Sequence, residues 1–152
     1  MADLAIYSWM FTAALIAGTF LPFLPASSEV VFLGFLAAGE GEPAGLLAVA
    51  TIGNLAGAII NYFAGRYVSG LAGRPWFPAS ETQMQRASAL FNRYGFWVLL
   101  LSWLPAIGDL ITTIAGLLRL DFRLFVVLTA VGKFFRYFLL LVGLDWFQGW
   151  IE

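Results

Sequence analysis

Two apolar stretches of this chain are interrupted in the same way. Phe23-Leu24-Pro25-Ala26-Ser27-Ser28-Glu29 and Trp103-Leu104-Pro105-Ala106-Ile107-Gly108-Asp109 each place an aromatic residue, then Leu-Pro-Ala, then a carboxylate four residues after the proline. Proline removes a helical hydrogen bond and clashes with the preceding turn, so each stretch reads as two short helices around a break. Pro22, next to Pro25, strengthens the first break. Interrupted hydrophobic segments at corresponding positions of two halves point to a transporter's binding site.

Segment lengths give the topology, because a helix needs about 20 apolar residues to cross the hydrocarbon core. Residues 45–65 and 124–144 meet that requirement. Val30 to Ala38, Phe96 to Leu104 and Leu110 to Leu118 have nine residues each, and fit re-entrant hairpins that go in and come back. Broken backbone at that depth is tolerated only against protein or a water-filled cavity. Residues 5–21 fit either reading. The expected fold is an all-α integral membrane protein: an inverted repeat of re-entrant helical hairpin plus transmembrane helix, with a surface amphipathic helix between the halves. The chain is then a single membrane domain over 1–152, with repeat one at 5–70, the linker helix at 79–94 and repeat two at 95–148. Within the linker, Met84, Ala87, Leu90, Phe91 and Tyr94 recur at helical spacing among polar residues, and Ser80 with Gln83 makes a capping-box start.

Composition agrees with lipid as the solvent: 61% of residues are hydrophobic and 11% charged, against about a quarter charged in soluble domains. With no Cys and no His, imidazole zinc sites and Ser-His hydrolases are excluded. A net charge of -1 gives no reason to expect nucleic acid. No cofactor and no metal is expected, and no secretory leader is read at the N-terminus.

Charge placement orients the chain. Arg66, Arg74, Arg86, Arg93, Arg119 and Arg123 lie on one face with Glu81 and Asp121, whereas Asp3, Glu40, Glu42, Asp145 and Glu152 fall on the other. By the positive-inside rule the arginine face is cytoplasmic and both termini are outside. Trp9, Trp76, Trp97, Trp146 and Trp150 read as an interfacial belt.

Four charges remain inside hydrophobic segments: Glu29, Asp109, Lys133 and Arg136. Intramembrane ionisable residues default to function. Glu29 and Asp109 fall in the first turns of the second half-helices, and carboxylates enclosed there suit proton coupling. Ser27, Ser28 and Gly108 sit where those half-helices begin, so backbone N–H groups and the helix dipole favour an anion. Lys133 and Arg136, spaced i, i+3, share one face and can neutralise a lipid phosphate, the guanidinium through two parallel hydrogen bonds. The competing readings are that the acids cap their helices or pair permanently with these cations, and that Lys133 snorkels to the interface. Asn54 and Asn61 form one stripe, lining a cavity or bonding across helices. Gly53-Asn54-Leu55-Ala56-Gly57 is a small-xxx-small pattern, packing against a hairpin within the subunit or forming a homodimer contact.

These residues together resemble a known family. Leu21-Pro22-Phe23-Leu24-Pro25-Ala26-Ser27-Ser28-Glu29, Gly53-x3-Gly57-x4-Tyr62-x2-Gly65-Arg66, Tyr94-Gly95, Ser102-Trp103-Leu104-Pro105-Ala106-Ile107-Gly108-Asp109 with Ala115-Gly116, and Gly132-Lys133-x2-Arg136-Tyr137 look like the DedA family, also called the VTT or SNARE-associated Golgi protein domain, and most like its short YqaA branch. The resemblance implies movement of lipids between leaflets. It points to undecaprenyl phosphate or a phospholipid, linked to proton-motive force, with Glu29 and Asp109 as the family's acidic tip residues and Gly65-Arg66 as its helix end. Larger members carry arginines around the second-tip proline, where this chain has Ser102 and Gly108-Asp109. The expected function is a flippase or scramblase for a phosphate-bearing lipid, not an enzyme. An ion or proton/cation antiporter, an aspartyl-type hydrolase and a non-transporting structural protein are the alternatives.

Overall fold

The structure, a computed structural model, describes residues 2–19, 27–67, 81–104 and 107–148. The expected tips Pro22, Pro25 and Pro105, and the capping Ser80, lie outside these residues.

Every regular element among the described residues is a helix. In chain order they form α1 (Ala2–Gly18), α2 (Ser28–Ala38), α3 (Pro43–Tyr67), α4 (Glu81–Tyr94), a 3₁₀ segment (Gly95–Trp103), α5 (Ile107–Leu117) and α6 (Phe122–Gln148). Two of these, α3 and residues 122–144 of α6, are long and apolar enough to cross a membrane. The other apolar helices are shorter. At 1.5 Å per residue the 17 residues of α1 span about 26 Å, and the 11 residues each of α2 and α5 about 16 Å, roughly half of a hydrocarbon core.

Local sequence explains the boundaries. Ser27 has extended backbone and its side chain accepts a hydrogen bond from the Val30 N–H, which starts α2, while Gly39 in the left-handed region ends it. Leu104 is extended at φ -68°, ψ 131°, the conformation imposed on a residue before proline. That restriction stops the 3₁₀ segment there. The tighter coil rises about 2.0 Å per residue, so its nine residues reach about 18 Å, matching α5 across the break.

Packing forms two apolar clusters. Met10, Ala14, Phe32, Leu46, Leu47, Ala50 and Tyr137 join α1 and α2 to the first half of α3 and the second half of α6. Ala58, Tyr62, Phe91, Val98, Leu99, Ile111, Ile114, Ala115, Phe125 and Leu128 join the remaining halves to α4, the 3₁₀ segment and α5. Asn54 falls between the clusters along α3, and Thr129 and Lys133 between them along α6; all three are buried. The polar residues therefore form a waist between two apolar ends.

Glycines set the close approaches. A Cβ on Gly53 would lie 2.6 Å from the Phe11 carbonyl oxygen, and one on Gly57 2.5 Å from the Gly18 carbonyl carbon. The small-residue stripe thus serves packing of α3 against α1 within the subunit. Farther along, added Cβ atoms on Gly65 and Gly116 would run into the Thr113 and Tyr62 carbonyl oxygens, so α3 and α5 touch backbone to backbone.

Candidate functional site

Both short helices deliver an acid to the same long helix. Glu29 sits in the first turn of α2 and Asp109 in the first turn of α5. Lys133 and Arg136 lie near the middle of α6, one turn apart. Arg136 forms an ion pair with Glu29 through Nη2 and Oε1, and Lys133 Nζ lies 3.4 Å from Asp109 Oδ1. Because Lys133 and Arg136 are one turn apart on α6, the two pairs lie side by side. The four intramembrane charges of the sequence are one cluster.

The two pairs differ in access. Lys133 is 1% exposed and Asp109 20%, whereas Arg136 and Glu29 are 17% and 21% exposed. Lys133 does not snorkel. Gly132 explains why: a Cβ there would stand 2.9 Å from the Leu100 carbonyl and 2.8 Å from Ser102 Oγ, so its absence lets the 3₁₀ segment lie on α6 beside the lysine.

Around these charges the polar side chains are mostly engaged with one another. Ser27 Oγ donates to Glu29 Oε2 at 2.6 Å. The Ser28 hydroxyl is fully buried and shares a 2.8 Å hydrogen bond with the Tyr137 hydroxyl, which also accepts from Asn54 Nδ2 at 3.1 Å. Asn61 Nδ2 donates to the Gly18 carbonyl at 2.9 Å and approaches Thr112 Oγ1 at 3.4 Å. Thr112 and Thr113 donate to the Asp109 carbonyl at 2.8 and 2.9 Å.

Ser28 and Gly108 are each engaged within the protein. The Ser28 side chain is enclosed with Tyr137, and the Gly108 N–H donates to the Leu104 carbonyl at 2.9 Å. A side chain at Gly108 would strike the Ser102 carbonyl, so this glycine lets the two arms of the second interruption close together. Asn61 bridges α1, α3 and α5. Asn54 keeps a buried Oδ1 for which no donor is found among the described residues, as do the Ser102 and Thr129 hydroxyls.

Tyr137, part of the Gly132-Lys133-x2-Arg136-Tyr137 motif, was given no site role from the sequence. It ties the start of α2 to α3 and α6, and Phe32 packs edge-on against its ring at 5.3 Å. Its position four residues after Lys133, on the same helical face, was the available signal.

Salt-bridged acid–base pairs among helices of half and full membrane length define the class, an all-helical membrane protein with titratable side chains in its interior. The chain belongs to the VTT-domain (DedA) family, whose model matches residues 24–145. It is similar to inner membrane protein YqaA of Escherichia coli K12, 35% identical over 128 residues that cover 82% of this chain and 84% of that protein. A Haemophilus influenzae protein of uncharacterised function is 36% identical over 88% of this chain and 83% of its own length. Undecaprenyl phosphate transporter A of Staphylococcus aureus is 27% identical over 81% of this chain and 66% of the transporter. No solved structure matches.

Proposed function

We propose that this protein moves a phosphate-bearing lipid, such as undecaprenyl phosphate or a phospholipid, between membrane leaflets as a flippase or scramblase linked to protons. The observation that carries this reading is the convergence of Glu29 and Asp109 on Arg136 and Lys133 at mid-helix. Four charges in an apolar interior are costly even when paired, and intramembrane ionisable residues default to function. A guanidinium on a long helix can take a phosphate in two parallel hydrogen bonds, and the acids supply exchangeable protons. The name of the staphylococcal relative points to the same substrate chemistry. In this reading α1 with α2, and the 3₁₀ segment with α5, are oppositely oriented re-entrant hairpins within one membrane domain. The arginine-rich face is cytoplasmic and the termini are outside the bacterial inner membrane.

The test is reconstitution into liposomes with undecaprenyl phosphate or a labelled phospholipid, followed by a leaflet-accessibility assay. Wild-type protein should accelerate exchange between leaflets, and Arg136→Ala should abolish it with the protein still folded. Absence of lipid movement together with ion or proton flux in lipid-independent conditions would favour the antiporter instead.

A further inference from the structure

Glu29 is held in an arrangement that a phosphate group could reproduce. Its Oε1 lies on the Arg136 guanidinium and its Oε2 accepts from the Ser27 hydroxyl at 2.6 Å. Two oxygens on one planar carbon thus meet a guanidinium on one side and a helix-capping hydroxyl on the other. Two non-bridging oxygens of a phosphomonoester or phosphodiester present the same acceptors in a geometry that suits arginine, and the monoester carries the greater charge.

Access separates this pair from its neighbour. Arg136 and Glu29 each keep about a fifth of their side-chain surface open, whereas Lys133 is sealed at 1%. An incoming anion therefore reaches Arg136 first and finds it occupied. Building on the function proposed above, we propose that Glu29 is an internal stand-in for the ligand's phosphate, so that a phosphate-bearing ligand enters by displacing Glu29 from Arg136 and Ser27. The ligand-free protein is closed by its own carboxylate. Displacement releases the first turn of α2 from α6 at the ion pair, while the Ser28–Tyr137 hydrogen bond one residue away keeps the helix in place.

This makes an unusual demand on a binding site: removing a charged residue must strengthen binding. The experiment is calorimetric titration of the full chain in detergent micelles with undecaprenyl phosphate and, separately, with inorganic phosphate. Glu29→Gln should bind about tenfold tighter than wild type, the scale of one lost charge-assisted competitor. Glu29→Asp keeps the charge but draws it back, and should fall between the two; it also preserves the test if the glutamine variant does not fold. Tightening for the lipid alone supports exchange with a lipid head group, and equal tightening for both probes supports exchange with phosphate as such. Unchanged or weaker binding in both folded Glu29 variants overturns the exchange. Arg136→Ala that binds undecaprenyl phosphate as well as wild type overturns the earlier assignment of phosphate to Arg136, a separate failure.

Discussion

Lys133 and Asp109 join the longest helix to the second short one through an ion pair whose ammonium end is almost completely enclosed, with Nζ 3.4 Å from Oδ1 and only 1% of the lysine side chain exposed. Breaking such a pair from one side leaves a buried charge uncompensated, at a cost of about 3–5 kcal/mol. Lys133→Met should therefore lower the melting temperature in detergent sharply. Adding Asp109→Asn should restore most of the loss, because both charges are then gone. If the double variant is as unstable as the single one, the pair is not what holds α5 to α6.

Arg136 and Lys133 are not interchangeable at this site. Arg136→Lys keeps a cation for Glu29 but loses the planar fork that takes two phosphate oxygens at once. Stability should change little, since the pair with Glu29 persists, whereas lipid movement in liposomes should fall about tenfold, the effect of losing one charge-assisted hydrogen bond. Equal rates for the two proteins would place substrate recognition elsewhere.

Much of this architecture was legible because length and breakage are written plainly in an apolar chain. The apolar runs at 45–65 and 124–144 became α3 and α6, and the amphipathic helix expected at 79–94 is described from Glu81 to Tyr94 as α4. Two things were not legible. Nothing in Phe96 to Leu104 distinguishes a 3₁₀ coil from an α-helix, because that choice depends on how the segment fits against Gly132 and α6. Which acid meets which base was equally hidden, since Lys133 and Arg136 share one face and only tertiary packing assigns Asp109 to one and Glu29 to the other. The polar role of Tyr137 was not legible either, because an aromatic residue on an apolar helix ordinarily reads as packing or belt.

Tyr137 provides a prediction about the anchoring of α2. Its hydroxyl is bonded to Ser28 and accepts from Asn54, all within a buried cluster. Tyr137→Phe leaves both partners short of a hydrogen bond, and should cost about 1–3 kcal/mol. Ser28→Ala added to it should cost little more, because the two residues act through one bond. Full additivity in a double-mutant cycle of melting free energies would show that they contribute independently.

The backbone contact of α3 with α5 yields a comparison within one residue type. A methyl group added at Gly65 or Gly116 would collide with the carbonyl of Thr113 or Tyr62, which is helix backbone and cannot rotate away. Each alanine variant must push the helices apart, and overpacking of this kind costs about 1–3 kcal/mol. Gly34, in the middle of α2, has nothing within 4 Å of its notional Cβ, so alanine there removes backbone freedom from the unfolded chain and should stabilise by about 0.5–1 kcal/mol. Melting in detergent should thus order the proteins as Gly34→Ala above wild type and Gly65→Ala and Gly116→Ala below it. Because Asp109 is carried on the same α5 that Gly65 and Gly116 seat against α3, the two destabilised variants should also weaken the Lys133–Asp109 pair and slow lipid movement at temperatures where they remain folded. A Gly65→Ala protein as stable as wild type would mean that α3 and α5 are not in direct backbone contact in the membrane.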